Sequence, residues 1–385
     1  MLVKKSLDMN NPLVWVEIGK SALSHNLKQF KKIIGPQVRL MAVVKSNAYG
    51  HGLLEIAKLC DSSREVGMLC TVNLSEALIL KQKGIKKPIL VLSYYSLDKK
   101  EITKAIKQKI HLAVYDSRQY RYLNNLAGKL KRKAKIHFKV DTGTSRLGLT
   151  AEESLAEIKK IIRLKYLQLA GLFTHLATAE ETNQSFTKRQ TALFSKLIGQ
   201  LDRNNIFIPL KHAACSAAIL LNKAGHFDAV RLGLSLYGLW SLEDGQKIKK
   251  KYPLKPVLSW KARVIQVKEI SKGGTVGYGR TYRAKKKIKI AILPVGYNEG
   301  YDRKLSSRGE VLIKGAKCKV LGRVCMNLIM VDVSGKDVKV NDEAVLIGRQ
   351  GRVEITVEEL AEKIGTINYE AITRINPLLP RKIVK

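Results

Sequence analysis

Met41-Ala-Val-Val-Lys45-Ser-Asn-Ala-Tyr49-Gly-His-Gly52 is the stretch on which the fold of this chain turns. Val38 to Val44 form a run of mainly apolar residues, some β-branched, that reads as a buried strand, halted by one lysine and a loop rich in Asn and Gly. Burial against such a strand disfavours the ammonium form of Lys45, which is how a lysine becomes an amine nucleophile or a Schiff-base partner. Most lysines that end a strand are simply solvated, and this stretch alone leaves both readings open.

Outward from Lys45, apolar strand-length runs recur at Arg39–Lys45, Gly67–Val72, Pro88–Ser93, His111–Tyr115, Lys135–Asp141, Leu169–His175, Ile208–Ala213 and Asp228–Leu232. Most are separated by helix-compatible stretches such as Leu53–Leu59 and Ser154–Arg163. Eight β/α units predict an α/β fold, a (β/α)8 TIM-type barrel wrapped by helices. A short strand is expected at Val14–Ile18, followed by an amphipathic helix with Ser21 placed to cap it.

Beyond Trp240 the pattern changes. Val257–Ile270, Lys287–Pro294, Glu310–Ile313, Cys318–Gly322, Ile329–Val333 and Ala344–Ile347 read as strands without long intervening helices, closed by one helix near Thr356–Ile364. The expected domains are a barrel over residues 14–242 and a mostly antiparallel β domain over 243–385, with residues 1–18 packing on the latter. Lys-rich Glu243 to Lys251 is the expected linker.

The 385 residues suffice for two cores, and a hydrophobic share of 45% is that of an ordinary globular protein. No run is long and apolar enough to span a membrane, and Met1 to Pro12 lacks an apolar leader core, so a cytoplasmic location is expected. Five cysteines, Cys60, Cys70, Cys215, Cys318 and Cys325, show no close-spaced pair and predict reduced thiols. The seven histidines lack ligand spacing, so no metal is expected. The charge of +38, from 70 Lys and Arg against 32 Asp and Glu, invites a nucleic-acid reading. Its basic clusters are short and lack any DNA- or RNA-binding signature, so a solvated basic surface is the expectation, with no specific nucleic-acid or membrane partner.

Barrel enzymes place their chemistry at the carboxyl ends of the strands. Here those ends carry Lys45 and Tyr49, then His137, Lys139, Asp141 and Arg146, then Thr174-His175, then His212 to Ser216, then Arg231-Leu-Gly233. Period-two alternation turns His137, Lys139 and Asp141 to one face, so an interior lysine needs an anion, and Asp141 could supply it. Ser216 with Ala217 and Ala218, and Gly233, permit close approach of an anion in the last two barrel loops. A strand-end lysine, a phosphate cradle and Tyr49 together fit pyridoxal 5′-phosphate, an aldehyde that needs both.

The chain resembles the alanine racemase family, pyridoxal-phosphate enzymes of fold type III, over nearly its whole length. The likeness lies in Ala42 to Gly52, Lys139-Val-Asp-Thr-Gly143 with Arg146-Leu-Gly148, Phe173-Thr-His175, His212 to Ala218 and Val230-Arg-Leu-Gly233 with Tyr237-Gly238. It continues in Gly277-Tyr278-Gly279, Gly296-Tyr297, Val324-Cys-Met326 and Asn368-Tyr369-Glu370. The resemblance implies a homodimer that interconverts L- and D-alanine, supplying D-alanine for cell-wall peptidoglycan. Lys45 would carry the cofactor and act as one base, and Tyr278 of the other subunit as the opposite base. Arg231 would meet the ring nitrogen, with His175 beside it. Tyr49, Ser216, Gly233, Leu234 and Tyr369 would hold the phosphate, and Arg146 and the Met326 backbone the substrate. Lys139 would be a site of carbamylation. Cys215 and Asn327 depart from the family's usual asparagine and aspartate. A broad-specificity racemase for serine or lysine, and a non-catalytic barrel that binds the same cofactor, are the alternatives; Arg231 disfavours a decarboxylase, and Tyr278 disfavours the non-catalytic barrel.

Overall fold

The computed structural model describes residues 11–242 and 246–385. The expectations for residues 1–10 and 243–245, the missing leader and the start of the linker, lie outside the described residues. The chain divides into two compact units, one of residues 22–48 and 56–255, the other of residues 1–21, 49–55 and 256–385.

The first unit is a closed parallel barrel. Its eight strands are Arg39–Val43, Val66–Thr71, Ile89–Val91, His111–Val114, Ala134–Asp141, Leu167–Phe173, Lys211–His212 and Ala229–Leu232. Each pairs in parallel with its neighbour, and pairing of Ala229–Leu232 with Arg39–Val43 closes the ring. Leu40, Met41 and Ala42 of the first strand and Ile89, Leu90 and Val91 of the third are wholly buried, as expected where one face meets the barrel interior and the other the helices. The helices start where short polar side chains satisfy free backbone N–H groups. Asn73 accepts from Glu76 N, Asp98 from Glu101 N, and Thr150 forms a reciprocal pair with Glu153. Ser21 does not cap: the helix Lys20–Ile34 already begins one residue earlier, which leaves Ser21 inside its first turn.

The second unit is mostly antiparallel, and the strand Val14–Gly19 belongs to it, paired with Leu258–Arg263 and, in parallel, with Arg381–Val384. The expected single strand Val257–Ile270 is two strands in two sheets. Leu258–Arg263 pairs with Glu343–Gln350, whereas Gln266–Ile270 pairs with Ile288–Leu293. Between them Val264 N donates to Asp342 O and Ile265 N to Ile292 O, so adjacent residues are hydrogen-bonded in opposite directions and the chain changes sheets. The helix Val357–Ile364, capped by Thr356, stands where expected. The helix Asn368–Thr373 and the last strand were not foreseen. In the expected linker, Gln246–Lys251 is helical.

Candidate active site

The first barrel strand ends in a left-handed turn. Ser46, Asn47, Ala48 and Tyr49 all have φ between 52° and 55°, a conformation that costs L-residues about 1–2 kcal/mol each. Glu76, at the start of the next helix but one, holds the turn in place. Its Oε1 accepts from Ser46 N at 2.6 Å and from Asn47 N at 3.4 Å, and its Oε2 from Val72 N at 3.1 Å. Lys45 is thereby half-buried at the barrel mouth. Burial first, and then the Arg146 guanidinium, push its pKa below the ordinary lysine value, against the opposing pull of Glu76.

The fifth strand supplies a second displaced lysine. Lys139 is 6% exposed, its Nζ 5.0 Å from the ring centre of Phe173. Among the described residues no carboxylate lies within ion-pair distance of it. Burial, with Arg231 and Arg146 adding to it, lowers its pKa to about 7. The expected partnership with Asp141 is not made. Asp141 Oδ1 accepts from Gly143 N and Thr144 N, both at 2.8 Å, and Oδ2 from Arg146 N at 3.1 Å. Burial alone would raise the Asp141 pKa, but these backbone donors outweigh it and hold the carboxyl below its usual value. The aspartate organises the loop that carries Arg146 and leaves Lys139 without an anion.

Arg231 is 4% exposed, within the eighth strand. Its Nη2 donates to Ala213 O (2.7 Å), Thr174 O (2.8 Å) and His175 Nδ1 (3.3 Å). Its Nη1 donates to His212 Nδ1 (2.7 Å) and His212 O (3.1 Å). The shorter imidazole contact is therefore to His212, which was expected at the strand end but with no role; its place as the last residue of the seventh strand was the available signal. Burial, and then Arg231, hold both His175 and His212 far below the ordinary histidine pKa, so both are neutral acceptors. Ser216 opens the helix Ser216–Leu221, and its Oγ accepts from Gly233 N at 3.0 Å and Ser235 N at 3.4 Å. With two N–H groups on its lone pairs, its own proton is left to donate. Leu234 follows in a buried 3-10 turn. Cys215, before Ser216, has its thiol pKa raised by burial. No set of three His, Cys, Asp or Glu among the described residues is arranged to hold a metal.

The remaining expected residues belong to the β unit. The rings of Tyr49 and Tyr369 lie 6.2 Å apart. Tyr278 is 72% exposed in the turn Tyr278–Arg280 between two short paired strands. Met326 is 56% exposed, and its carbonyl accepts from Asn298 N at 2.9 Å. A Cβ on Gly296 would stand 2.2 Å from Cys325 O, so only glycine lets these two loops meet. Glu299, nearly buried, accepts from Gly296 N (2.8 Å), Asn298 Nδ2 (2.9 Å) and Asn327 Nδ2 (2.9 Å). Asn327 thus serves as a donor to a carboxylate, a role an aspartate could not fill.

Comparison with known proteins adds to this geometry. The family model "Alanine racemase, N-terminal domain" matches residues 18–241, and "Alanine racemase, C-terminal domain" matches residues 257–383. A protein named alanine racemase from Methanococcus maripaludis is 40% identical over 370 residues, 96% of this chain and 98% of that protein. The solved alanine racemase of Clostridium difficile superposes with a TM-score of 0.91 at 34% identity, covering 97% of this chain and 96% of that one. The Bacillus anthracis alanine racemase, solved with bound L-Ala-P, gives 0.87 at 32% identity, covering 97% and 95%.

Proposed function

The chain belongs to the alanine racemase family, and from that premise we propose that its own residues interconvert L- and D-alanine with pyridoxal 5′-phosphate carried on Lys45. One observation carries the assignment of the site: Arg231, a buried guanidinium with no carboxylate partner among the described residues, stands in the same barrel as a lysine of lowered pKa. The donor set fits the cofactor. Lys45 offers an amine to the aldehyde, Ser216 an uncommitted hydroxyl proton to the phosphate beside Gly233 and Leu234, and Arg231 a fixed donor to the ring nitrogen. Tyr49 and Tyr369 are the further phosphate ligands of this reading. When bound, the cofactor supplies the electron sink for the carbanion at the substrate's α carbon.

The protein's part is positioning and proton transfer. Lys45 removes or returns the α proton on one face of the substrate. Tyr278 of a second copy serves the opposite face, which makes the working form a homodimer; the exposure of Tyr278 and Met326 supports this. Two bases on opposite faces let a proton leave one side and return on the other. Arg146 and the Met326 backbone N–H hold the substrate carboxylate. Arg231, always charged and unable to accept a proton, would keep the ring nitrogen unprotonated and so favour return of the proton over side reactions. His175 supports it. Lys139, without an anion and with a pKa near 7, is in the state to add carbon dioxide. In that step an N–C bond would form and one proton leave, giving an anion that the charges of Arg231, Arg146 and Lys45 would favour. The product D-alanine would supply cell-wall peptidoglycan, and the five free thiols agree with a reducing cytoplasm.

The purified protein is expected to show the yellow absorbance of a lysine-bound cofactor and to convert L- to D-alanine, with serine and lysine assayed in parallel. No chromophore and no D-alanine would overturn the assignment. Lys45→Ala and Tyr278→Phe variants, each inactive, should regain part of the activity when mixed as heterodimers; no recovery would mean that each site is built within one subunit.

A further inference from the structure

Behind Arg231 the barrel interior holds a line of imidazoles that the proposed reaction does not use. His212 Nε2 lies 3.1 Å from His137 Nδ1, and His137 Nε2 lies 2.9 Å from His111 Nδ1. The line crosses from the seventh strand to the fifth and then to the first residue of the fourth, and His137 and His212 are wholly buried. Two features show that the interior is shaped around it. Opposite His137 stands Gly171, where a Cβ would lie 2.3 Å from His137 Nδ1, so the sixth strand leaves its side-chain space to the ring. Phe173 stacks flat on His212, the ring centres 5.0 Å apart and the planes 8° from parallel.

The protons in this line have one arrangement. A guanidinium has only donors, so Arg231 Nη1–H donates and His212 Nδ1 accepts. The proton of His212 is then on Nε2 and is donated to His137 Nδ1. His137 Nε2–H in turn donates to His111 Nδ1, which leaves the His111 proton on Nε2. All three rings are neutral, and each turns a lone pair toward the buried cation. The charges around them oppose protonation: Arg231 and Lys139 at one end, and Lys135, Arg39 and Lys81 at the other, where burial and these cations lower the His111 pKa to about 4.

We propose that His137 and His111 are positioning residues, which with His212 form a one-way relay of neutral imidazoles that keeps the Arg231 guanidinium charged and aimed at the cofactor's ring nitrogen without a carboxylate partner. This rests on Arg231 as the partner of that nitrogen. A carboxylate would satisfy the same nitrogens but would cancel the charge, whereas polarised neutral dipoles spread it while leaving it positive.

The test combines a tautomer measurement with function. Ring 15N chemical shifts of the histidine-labelled, cofactor-loaded protein, assigned through single variants, should place the proton on Nε2 in His111, His137 and His212 and should stay constant between about pH 6 and pH 8. His137→Gln, Gly171→Ala and His111→Gln should each lower kcat about tenfold with KM within about twofold, as expected for loss of one buried hydrogen bond behind Arg231. They should also release more pyruvate per racemisation, the substrate's amino group passing to the cofactor, because a loosened Arg231 controls the ring nitrogen less well. Gly171→Ala displaces a ring without replacing a histidine, and His111→Gln lies at the far end, so a folding failure in one variant leaves the others to decide. A cation or an Nδ1 proton at any of the three rings would overturn the relay. So would unchanged kcat and pyruvate release in the variants that fold. If the wild type bound no cofactor, the Arg231 assignment would fall, and the ring tautomers would still decide the relay.

Discussion

Lys261, Lys317 and Lys363 of the β unit and Lys139 and Arg231 of the barrel are held in opposite ways. In the β unit, Lys261 Nζ sits 2.9 Å from Glu17 and 3.2 Å from Glu343, while Glu310 and Glu359 share Lys317 and Lys363 at 2.8 to 3.5 Å. Burial tends to lower the Lys261 pKa, but its two carboxylates outweigh this and raise it. In the barrel, Lys139 and Arg231 meet carbonyls, imidazoles and an aromatic ring, and their pKa values fall. Paired cations keep their charge and have their nearest anion already in place. Cations without an anion are costly to hold in place and ready for an anionic ligand.

The sharpest way to break this contrast is to put a carboxylate where the barrel has none. Arg231→Glu should lower racemisation about a hundredfold or more and release pyruvate, up to one per cofactor because the amino group stays on it, read by chiral chromatography and a coupled pyruvate assay. A retained rate would mean that the guanidinium is architectural. Lys139→Met removes the second unpaired cation. The folded pKa of Lys139 is near 7 and the unfolded value near 10.5, so between them the unfolded chain holds a proton that the folded one lacks. The penalty of holding Lys139 folded is therefore full below about pH 7 and fades as pH rises toward 10.5. In buffer free of carbon dioxide, Lys139→Met should stabilise the apoprotein most at pH 6 to 7, with the gain shrinking by about pH 9; a gain independent of pH would refute the assigned titration.

Smaller effects test the β unit. Asn327→Asp replaces a donor to Glu299 with a second carboxylate, and should cost about 1–3 kcal/mol in denaturant melts. Unchanged stability would show that the loop carrying Met326 does not depend on this bond. Lys261→Met should change stability by about 1 kcal/mol or less and leave racemisation unaltered, since its charges only pair with one another.

The barrel was legible because each of its strands is an apolar run between turn residues, a signal carried by the residues themselves. Lys45 and Arg231 were legible as polar groups at strand ends. What escaped were features decided by distant partners. The change of sheet after Arg263 depends on which backbone groups of Asp342 and Ile292 are in reach. The carboxylate of Asp141 alternates correctly with Lys139, yet four backbone N–H groups in its own loop claim it first. The histidines at 111, 137 and 212 are far apart in sequence and adjacent only in a closed barrel. Glycine 171 carries no side chain to announce that it makes room for one.

The left-handed turn after Lys45 has a kinetic side. Four consecutive residues there adopt a conformation that the isolated chain avoids, and the acceptor that holds two of their amides belongs to Glu76, thirty residues beyond Ser46. The turn therefore cannot nucleate locally; it waits for the helix Leu74–Gln82 to dock. Lys45 would reach its working position late in folding, and pulsed hydrogen exchange should find the Ser46 amide protected only after those of the neighbouring strands.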